Sequence, residues 1–489
     1  MENLHQNLES PITLKTELAR RIQDELGENV YLCYQCVKCT SGCPVAEFFD
    51  WQPNQIMRAL QLGQEDIALG AQTPWLCACC QTCTTRCPQG LDIAAIMDFL
   101  TRESLARGYK PQVPEVKIMN EAFLREVRLW GRAYELGLMA EMKLRTGDLF
   151  SDVDLGIKMI SHRKFPFLPH PARRPAKVRP HPDAANALAY YPGCSLHATS
   201  PEFDHSTRAV CQALGMELIE PRGWVCCGSS AAHRADPGAA LRLPLENLAL
   251  IEQSGFQEVV MPCAACFNRH KTALHELRRH GERHVGERHV GERHVGERAA
   301  SPPEQSGYAY QGSVRVSSLA ESIHNRVGLE GVAAKVKQPL HDLRLVCYYG
   351  CLLTRPPEVT GSAHPENPTE LDELMAALGA QVLDWSYKTT CCGAAHSLTR
   401  PDIVLKLSGD LIQHARQTGA EAIAVACPLC HTNLDARQFQ MKLAEPMPVL
   451  FFTQLMAVAF GLPEKAASLN KNLVDPRPML FAKGVIGLS

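Results

Sequence analysis

No stretch of this 489-residue chain is long and apolar enough to cross a bilayer. Its most apolar late run, Val449 to Leu462, spans only 14 residues and carries Thr453 and Gln454, so any membrane association is expected to come through a partner. Charge of one sign is also missing. The 50 Lys and Arg stand against 52 Asp and Glu, for a net charge of −2, and no nucleic-acid partner is expected without a strongly basic domain or stripe. The opening MENLHQNLES lacks an apolar signal core and a cleavage site, which makes the cytoplasm the expected compartment and a secreted disulfide framework the wrong frame for the cysteines.

Cysteine is what the chain has in excess, 21 in all. Eighteen of them fall into four patterns. The first is Cys33, Cys36, Cys39 and Cys43 followed by Pro44, and the second repeats it as Cys77, Cys80, Cys83 and Cys87 followed by Pro88. This is the C-x2-C-x2-C-x3-C-P run of bacterial ferredoxins, in which three close thiolates hold three corners of a cubane and the fourth reaches to the other cluster. Cys43 is therefore expected to cap the cluster of the second run and Cys87 that of the first. A zinc site usually draws on two separated C-x2-C pairs and has no need of this three-plus-one spacing twice.

Length and a 45% apolar content fit about three domains with cores of their own. Helical spacing predicts a helix over Thr13 to Leu26 that stops at Gly27, another over Pro53 to Leu62 that stops at Gly63, and a third over Ile93 to Arg107 that stops at Gly108. Residues 114 to 160 continue as amphipathic helices, packed on this region or docked onto the next. Residues 163 to 182 hold six prolines and six Lys or Arg with no acid, the composition of a solvated linker.

Beyond residue 186 a second pattern runs Cys194, Cys226, Cys227, Gly228, Cys263, Cys266, and recurs as Cys351, Cys391, Cys392, Gly393, Cys427, Cys430. Corresponding cysteines lie 157 to 165 residues apart, which marks an internal duplication. Short β-prone runs lead into four of these cysteines, at Ala187 to Tyr191, Glu258 to Met261, Leu343 to Val346 and Ala422 to Ala426, and the sequence turns helical after Cys266 and Cys430. Strand, ligand loop and helix make an α/β unit with its thiols gathered at one sheet edge. Five thiols exceed what a tetrahedral zinc or a simple cubane takes, which suggests a cluster with a bridging sulfur. A zinc ion with a spare thiol, or a vicinal disulfide with a redox pair, stays open at these sites.

Residues 31 to 135, with CYQCVKCTSGCPVAEFFDWQP and WLCACCQTCTTRCPQGLDI, resemble the C subunit of heterodisulfide reductase. Residues 187 to 461, with YYPGCSLH, WVCCGSS, CYYGCLLTRPPEV, TTCCGAAHSL and VACPLCHTNLDARQ, resemble its B subunit. The sequence thus looks like a fusion of the two, similar to the D form of that enzyme, in which both parts lie on a single polypeptide. The resemblance implies a multidomain protein: a mainly α, ferredoxin-like domain with two 4Fe-4S clusters over 1–162, the linker 163–186, and two α/β cysteine-rich (CCG) lobes over 187–340 and 341–470, followed by a tail over 471–489. It implies two cubanes on Cys33, Cys36, Cys39, Cys43, Cys77, Cys80, Cys83 and Cys87. It implies two noncubane 4Fe-4S clusters, one on Cys194, Cys226, Cys227, Cys263 and Cys266 and the other on Cys351, Cys391, Cys392, Cys427 and Cys430, with zinc at one of these sites as the alternative. The cubanes would carry electrons from a flavoprotein resembling the A subunit, or from a membrane cytochrome, to a disulfide or sulfur-carrier substrate held between the CCG sites.

Val37 stands where the family commonly has glycine, and Cys79 adds a thiol inside the second run. Residues 281 to 298 read GERHVGERHVGERHVGER, an insertion best explained as a surface repeat, although His284, His289 and His294 are spaced ligands. Cys79, Cys211 and Cys347 are expected to be packed spares. The same modules also occur in iron-sulfur subunits of glycolate-oxidising complexes, which relay electrons from a flavin dehydrogenase without touching a disulfide. A zinc-bearing scaffold is the non-enzymatic alternative.

Overall fold

The computed structural model describes residues 16–173, 178–184, 187–286, 310–441, 443 and 445–487. They fall into two compact units, Met1–Pro114 and Glu115–Ser489.

The first unit is helical. Helix Glu17–Leu26 buries Leu18, Ala19 and Ile22, and its N-cap Thr16 accepts a hydrogen bond from the Ala19 amide. The expected start at Thr13 lies outside the described residues. Helix Pro53–Leu62 starts on its proline and stops at Gly63 as its sequence predicts. Helix Ile93–Ala106 is capped by Asp92, whose carboxylate accepts from the Ala95 amide. Leu18, Ile22, Ile56, Met57, Ile96 and Phe99 from the three helices form one core. The cysteine runs are threaded through short turns around that core: Val30–Leu32, Lys38–Ser41, Thr73–Leu76 and Thr82–Arg86.

The second unit carries two four-stranded parallel sheets. The first consists of β1 (Leu188–Tyr190), β2 (Leu218–Ile219), β3 (Glu258–Met261) and β4 (Arg315–Ser318), in the order β2-β1-β3-β4. The second consists of β5 (Arg344–Tyr348), β6 (Gln381–Val382), β7 (Ala422–Val425) and β8 (Val449–Phe451), in the order β6-β5-β7-β8. The duplication read from the cysteines is thus repeated in the topology. Strands β3 and β7 are buried at every position, as parallel strands covered on both faces must be. In register, Ala189 pairs with Val259 in the first sheet and Leu345 with Ala422 in the second.

The two lobes share their largest core. Helix Pro201–Ala213 of the first copy lays Phe203 flat on Phe451 of the second, with ring centroids 4.0 Å apart. Leu319 and Ile323, on the helix that leaves β4, are buried in the same cluster as Val346, Leu374 and Leu455. The apolar run from Val449 is strand β8 followed by the buried helix Phe452–Ala459. No described helix is long and apolar enough to cross a membrane.

Helices Pro114–Trp130, Glu135–Thr146 and Val153–Ser161 are there, but the compact units part between Pro114 and Glu115 instead of within 163–186. The reason is burial: Phe123, Val127, Leu138 and Met142 pack against Val225, Ala231 and Leu243 of the first cysteine-rich lobe. The linker is anchored where it begins, with Lys164 and Phe165 buried, and Ala172 donates its amide to the Trp130 carbonyl. The tail is packed too, since Asn472, Leu480 and Val485 are buried. The helix after Cys263 runs Ala264–Gly286 and so enters the repeat; residues 287–298 lie outside the described residues.

Candidate metal centres

In the first unit both cysteine runs adopt one backbone pattern. Gln35 and Val37 have φ of 62° and 65°, and the equivalent Cys79 and Gln81 have φ of 51° and 60°. Val37, in the place of a glycine, therefore holds a left-handed conformation that is costly for a β-branched side chain. Cys36 is exposed, Cys39 and Cys80 are buried, and Cys33, Cys43, Cys77, Cys83 and Cys87 are half-buried. Burial, with the Cys80 sulfur as the next cause, pushes the Cys43 thiol up to about 12. Burial followed by the sulfurs of Cys80 and Cys43 holds Cys83 well above its ordinary range, and burial is the leading cause at Cys39, raised to about 11. Cys43 thus lies beside the sulfurs of the second run. Neutral thiols in this setting become ligands only when a metal supplies the compensating positive charge. Cys79 points elsewhere, donating toward the Asp98 carboxylate at 3.5 Å.

In the second unit the ten patterned cysteines gather at the carboxyl ends of strands, where α/β sheets collect functional groups. Cys194 and Cys351 follow β1 and β5, Cys263 and Cys427 follow β3 and β7, and Cys266 and Cys430 sit in the first turns of the next helices. Cys227 and Cys266 have sulfurs 3.5 Å apart, and so do their equivalents Cys392 and Cys430. Cys226 interacts with Cys194 and Cys227, and Cys263 with Cys266 and, across the lobes, with its own counterpart Cys427. Cys427 in turn meets Cys430. Interacting thiols therefore lead from Cys194 to Cys392 through both lobes. Interactions with neighbouring thiols pull Cys227, Cys392 and Cys427 below their ordinary range, while Cys226, Cys263, Cys266 and Cys430 are pushed above it. For Cys226 the interaction with Cys194 is the largest cause.

The same positions are shaped to leave room beside sulfur. Gly193 and Gly350 both have φ of +73°, and a Cβ on them would stand 2.8 Å from the Cys266 sulfur and 2.9 Å from the Cys430 sulfur. Such a cradle of clustered, mostly buried thiols fits a thiophilic metal cluster. Cys211 and Cys347 stand apart in the hydrophobic core, where burial pushes the Cys211 thiol up to about 12.

Several polar residues around the sulfurs carry no motif of their own. Tyr191 and Tyr348 lie at the ends of β1 and β5, and each hydroxyl donates to the carbonyl just before a vicinal pair, Val225 at 2.7 Å and Thr390 at 2.6 Å. The doubled tyrosine before each Gly-Cys was the available signal. The Asn433 side-chain amide donates to the Cys392 carbonyl at 3.2 Å and toward its sulfur at 3.7 Å, whereas Asn247 in the first copy brackets the Val225 peptide. Behind Cys430, His431 stacks on Phe451 at 4.2 Å. Nearby, Lys164 of the linker is bonded to the Glu202 carboxylate at 2.5 Å with both side chains buried.

Comparison with known proteins agrees with this division. Residues 32–92 match the 4Fe-4S dicluster domain family, and residues 188–269 and 345–435 both match the cysteine-rich domain family. The protein is 33% identical over 292 residues to the 8-methylmenaquinol:fumarate reductase membrane anchor subunit of Wolinella succinogenes, covering 59% of this chain and 97% of that one. It is 25% identical over 297 residues to the B subunit of the Ferredoxin/F(420)H(2)-dependent CoB-CoM heterodisulfide reductase of Methanosarcina acetivorans, covering 59% of this chain and 94% of that one. It is 38% identical over 100 residues to a protein of Archaeoglobus profundus that is named as like the C subunit of heterodisulfide reductase, covering 19% of this chain and 53% of that one.

Proposed function

Because the protein belongs to the heterodisulfide reductase family, with a region like the C subunit at its N-terminus and one like the B subunit after it, we propose that its four cysteine arrays hold four 4Fe-4S clusters and that it reduces a disulfide. Cys33, Cys36, Cys39 and Cys87 would hold one cubane, and Cys77, Cys80, Cys83 and Cys43 the other. Cys194, Cys226, Cys227, Cys263 and Cys266 would hold one cluster of the second unit, and Cys351, Cys391, Cys392, Cys427 and Cys430 its twin. When bound, such clusters deliver electrons singly, whereas a disulfide takes two, so a pair of centres is the chemistry the reaction calls for.

The observation that carries this reading is the interaction of Cys263 with Cys427, equivalent residues of the two copies. It brings both arrays to one place. The protein's own part is to fix them there: Tyr191 and Tyr348 hold the peptides before the vicinal cysteines, and Gly193 and Gly350 keep the space beside Cys266 and Cys430 open. The donor would be a flavoprotein or a membrane cytochrome.

The Wolinella relative favours a second reading, since it is named as a subunit of a quinol-linked fumarate reductase. On that reading the protein relays electrons between a quinol-facing partner and a flavin-linked dehydrogenase, and the paired arrays are way stations. Anaerobic turnover of a disulfide with a reduced one-electron dye separates the two. Disulfide reduction is expected in the native protein, lost in Cys227→Ala and Cys392→Ala while the cubanes remain reducible by EPR. Full activity in both variants rejects the disulfide site and leaves the relay.

A further inference from the structure

Helix Val153–Ser161 is apolar on two sides. Its inner stripe, Leu155 and Met159, packs on Phe165 and Ala436, as expected of a surface helix. Its outer stripe, Val153, Ile157 and Ile160 at spacings of four and three, is exposed, Ile157 by 60%. Just before it Phe150 is 87% exposed, and two residues beyond the buried Phe165 comes Phe167, 73% exposed. A row of exposed apolar side chains along one helix face, with exposed phenylalanines in the flanking segments, marks an interaction site.

The helix is also fixed in place. At its start the Asp152 carboxylate receives both terminal nitrogens of Arg437 at 3.2 Å and the Gln440 side chain at 2.7 Å. Lys158 stands over the Phe439 ring at 3.7 Å. These bonds come from the second lobe, so the outer stripe is presented by a braced element.

The charge around the stripe tells what covers it. Residues 143–182 contain nine Lys or Arg against three Asp. Of those acids, Asp152 is bound to Arg437 and Asp148 is paired with Lys143, which leaves Asp154. Of the cations, Arg145 is paired with Glu121 and Glu141 and Lys164 is buried on Glu202, so among the described residues Lys158, Arg163, Arg173 and Arg179 carry the basic character. Exposed aliphatic and phenyl side chains beside a basic segment are the combination that seats a helix in the headgroup layer of an anionic bilayer. A protein partner would ask for complementary acids as well as an apolar groove, whereas a membrane supplies anionic headgroups and acyl chains together.

We propose that Phe150, Val153, Ile157, Ile160 and Phe167 form a peripheral membrane-binding surface, which seats the protein on anionic lipid and needs no spanning partner. The surface stands independently of which electron route the cysteines serve.

The test is flotation of the full, anaerobically purified protein with vesicles of phosphatidylcholine alone or mixed equally with phosphatidylglycerol. The native protein should float with the anionic vesicles and be released as salt is raised. Phe150→Glu and Ile157→Glu should each cut the bound fraction by about tenfold, with iron content and visible absorption unchanged because neither side chain is buried. The proposal is overturned if the native protein stays at the bottom with both vesicles, if neutral vesicles bind it as well as anionic ones, or if both variants float as the native protein does. It is equally overturned if vesicles fail to bind while the two substitutions strip a partner from the purified complex, for then the surface is a protein interface.

Discussion

At the scale of single residues, the cysteines were legible because each carries its chemistry in its own side chain and stands at a diagnostic interval from the next. What the sequence did not reveal are the groups that act through the backbone. Tyr191, Tyr348 and Asn433 bond to carbonyls brought near only by the fold, and buried Lys164 sits in a segment whose composition reads as solvated. Gly193 and Gly350 provide a direct check. An alanine there must both adopt φ of +73° and push on a sulfur less than a van der Waals contact away. Gly193→Ala and Gly350→Ala should therefore each lower the iron of the anaerobically purified protein by about four per molecule, while the EPR signals of the cubanes persist. Unchanged iron would show that the space is not used.

Glu135 gives a test through pH. Burial first, offset in part by the hydrogen bond from Thr199 and by Lys164, raises its carboxyl to about 8, so the folded protein holds it neutral. A raised carboxyl contributes stability that is present below its ordinary range and is lost as pH climbs toward the folded value. Glu135→Gln, which stays neutral at every pH, should melt above the native protein near pH 8, and the gap should close toward about pH 5. A gap that does not depend on pH would contradict the buried neutral form.

At the scale of elements, the strands that deliver cysteines were readable and the others were not. β1, β3, β5 and β7 are the central strands, whose apolar runs lead to Cys194, Cys263, Cys351 and Cys427. β2 and β6 are two-residue edge strands, too short for any periodic signal, and β8 was hidden in the same apolar run as the helix that follows it. The helices of residues 114–161 were legible as amphipathic, but their partners were not, because an apolar stripe does not say which surface it meets. Helix Pro201–Ala213 shows what such pairing is worth. Phe203 is fully buried and stacked on Phe451, so Phe203→Ala should destabilise the second unit by about 3–5 kcal/mol, measured as a lower denaturation midpoint. A change below about 1 kcal/mol would mean that the lobes do not depend on their shared core.

At the scale of the molecule, the order of parts followed from the two kinds of cysteine pattern, and the duplication followed from their repeat. The boundary did not, because the compact units part at Pro114 where the sequence changes little, while the conspicuous Pro- and Arg-rich stretch begins with side chains buried in the second unit. The run of interacting thiols across the lobes was also invisible in one dimension, since Cys263 and Cys427 are 164 residues apart. On the proposed function this convergence would make two arrays into one site, and it has meaning only if both arrays are filled. The most direct measurement is iron and acid-labile sulfide in the protein purified without oxygen. Four clusters require about sixteen of each per molecule; about eight of each, with or without zinc, would show that the paired arrays of the second unit carry no iron-sulfur clusters.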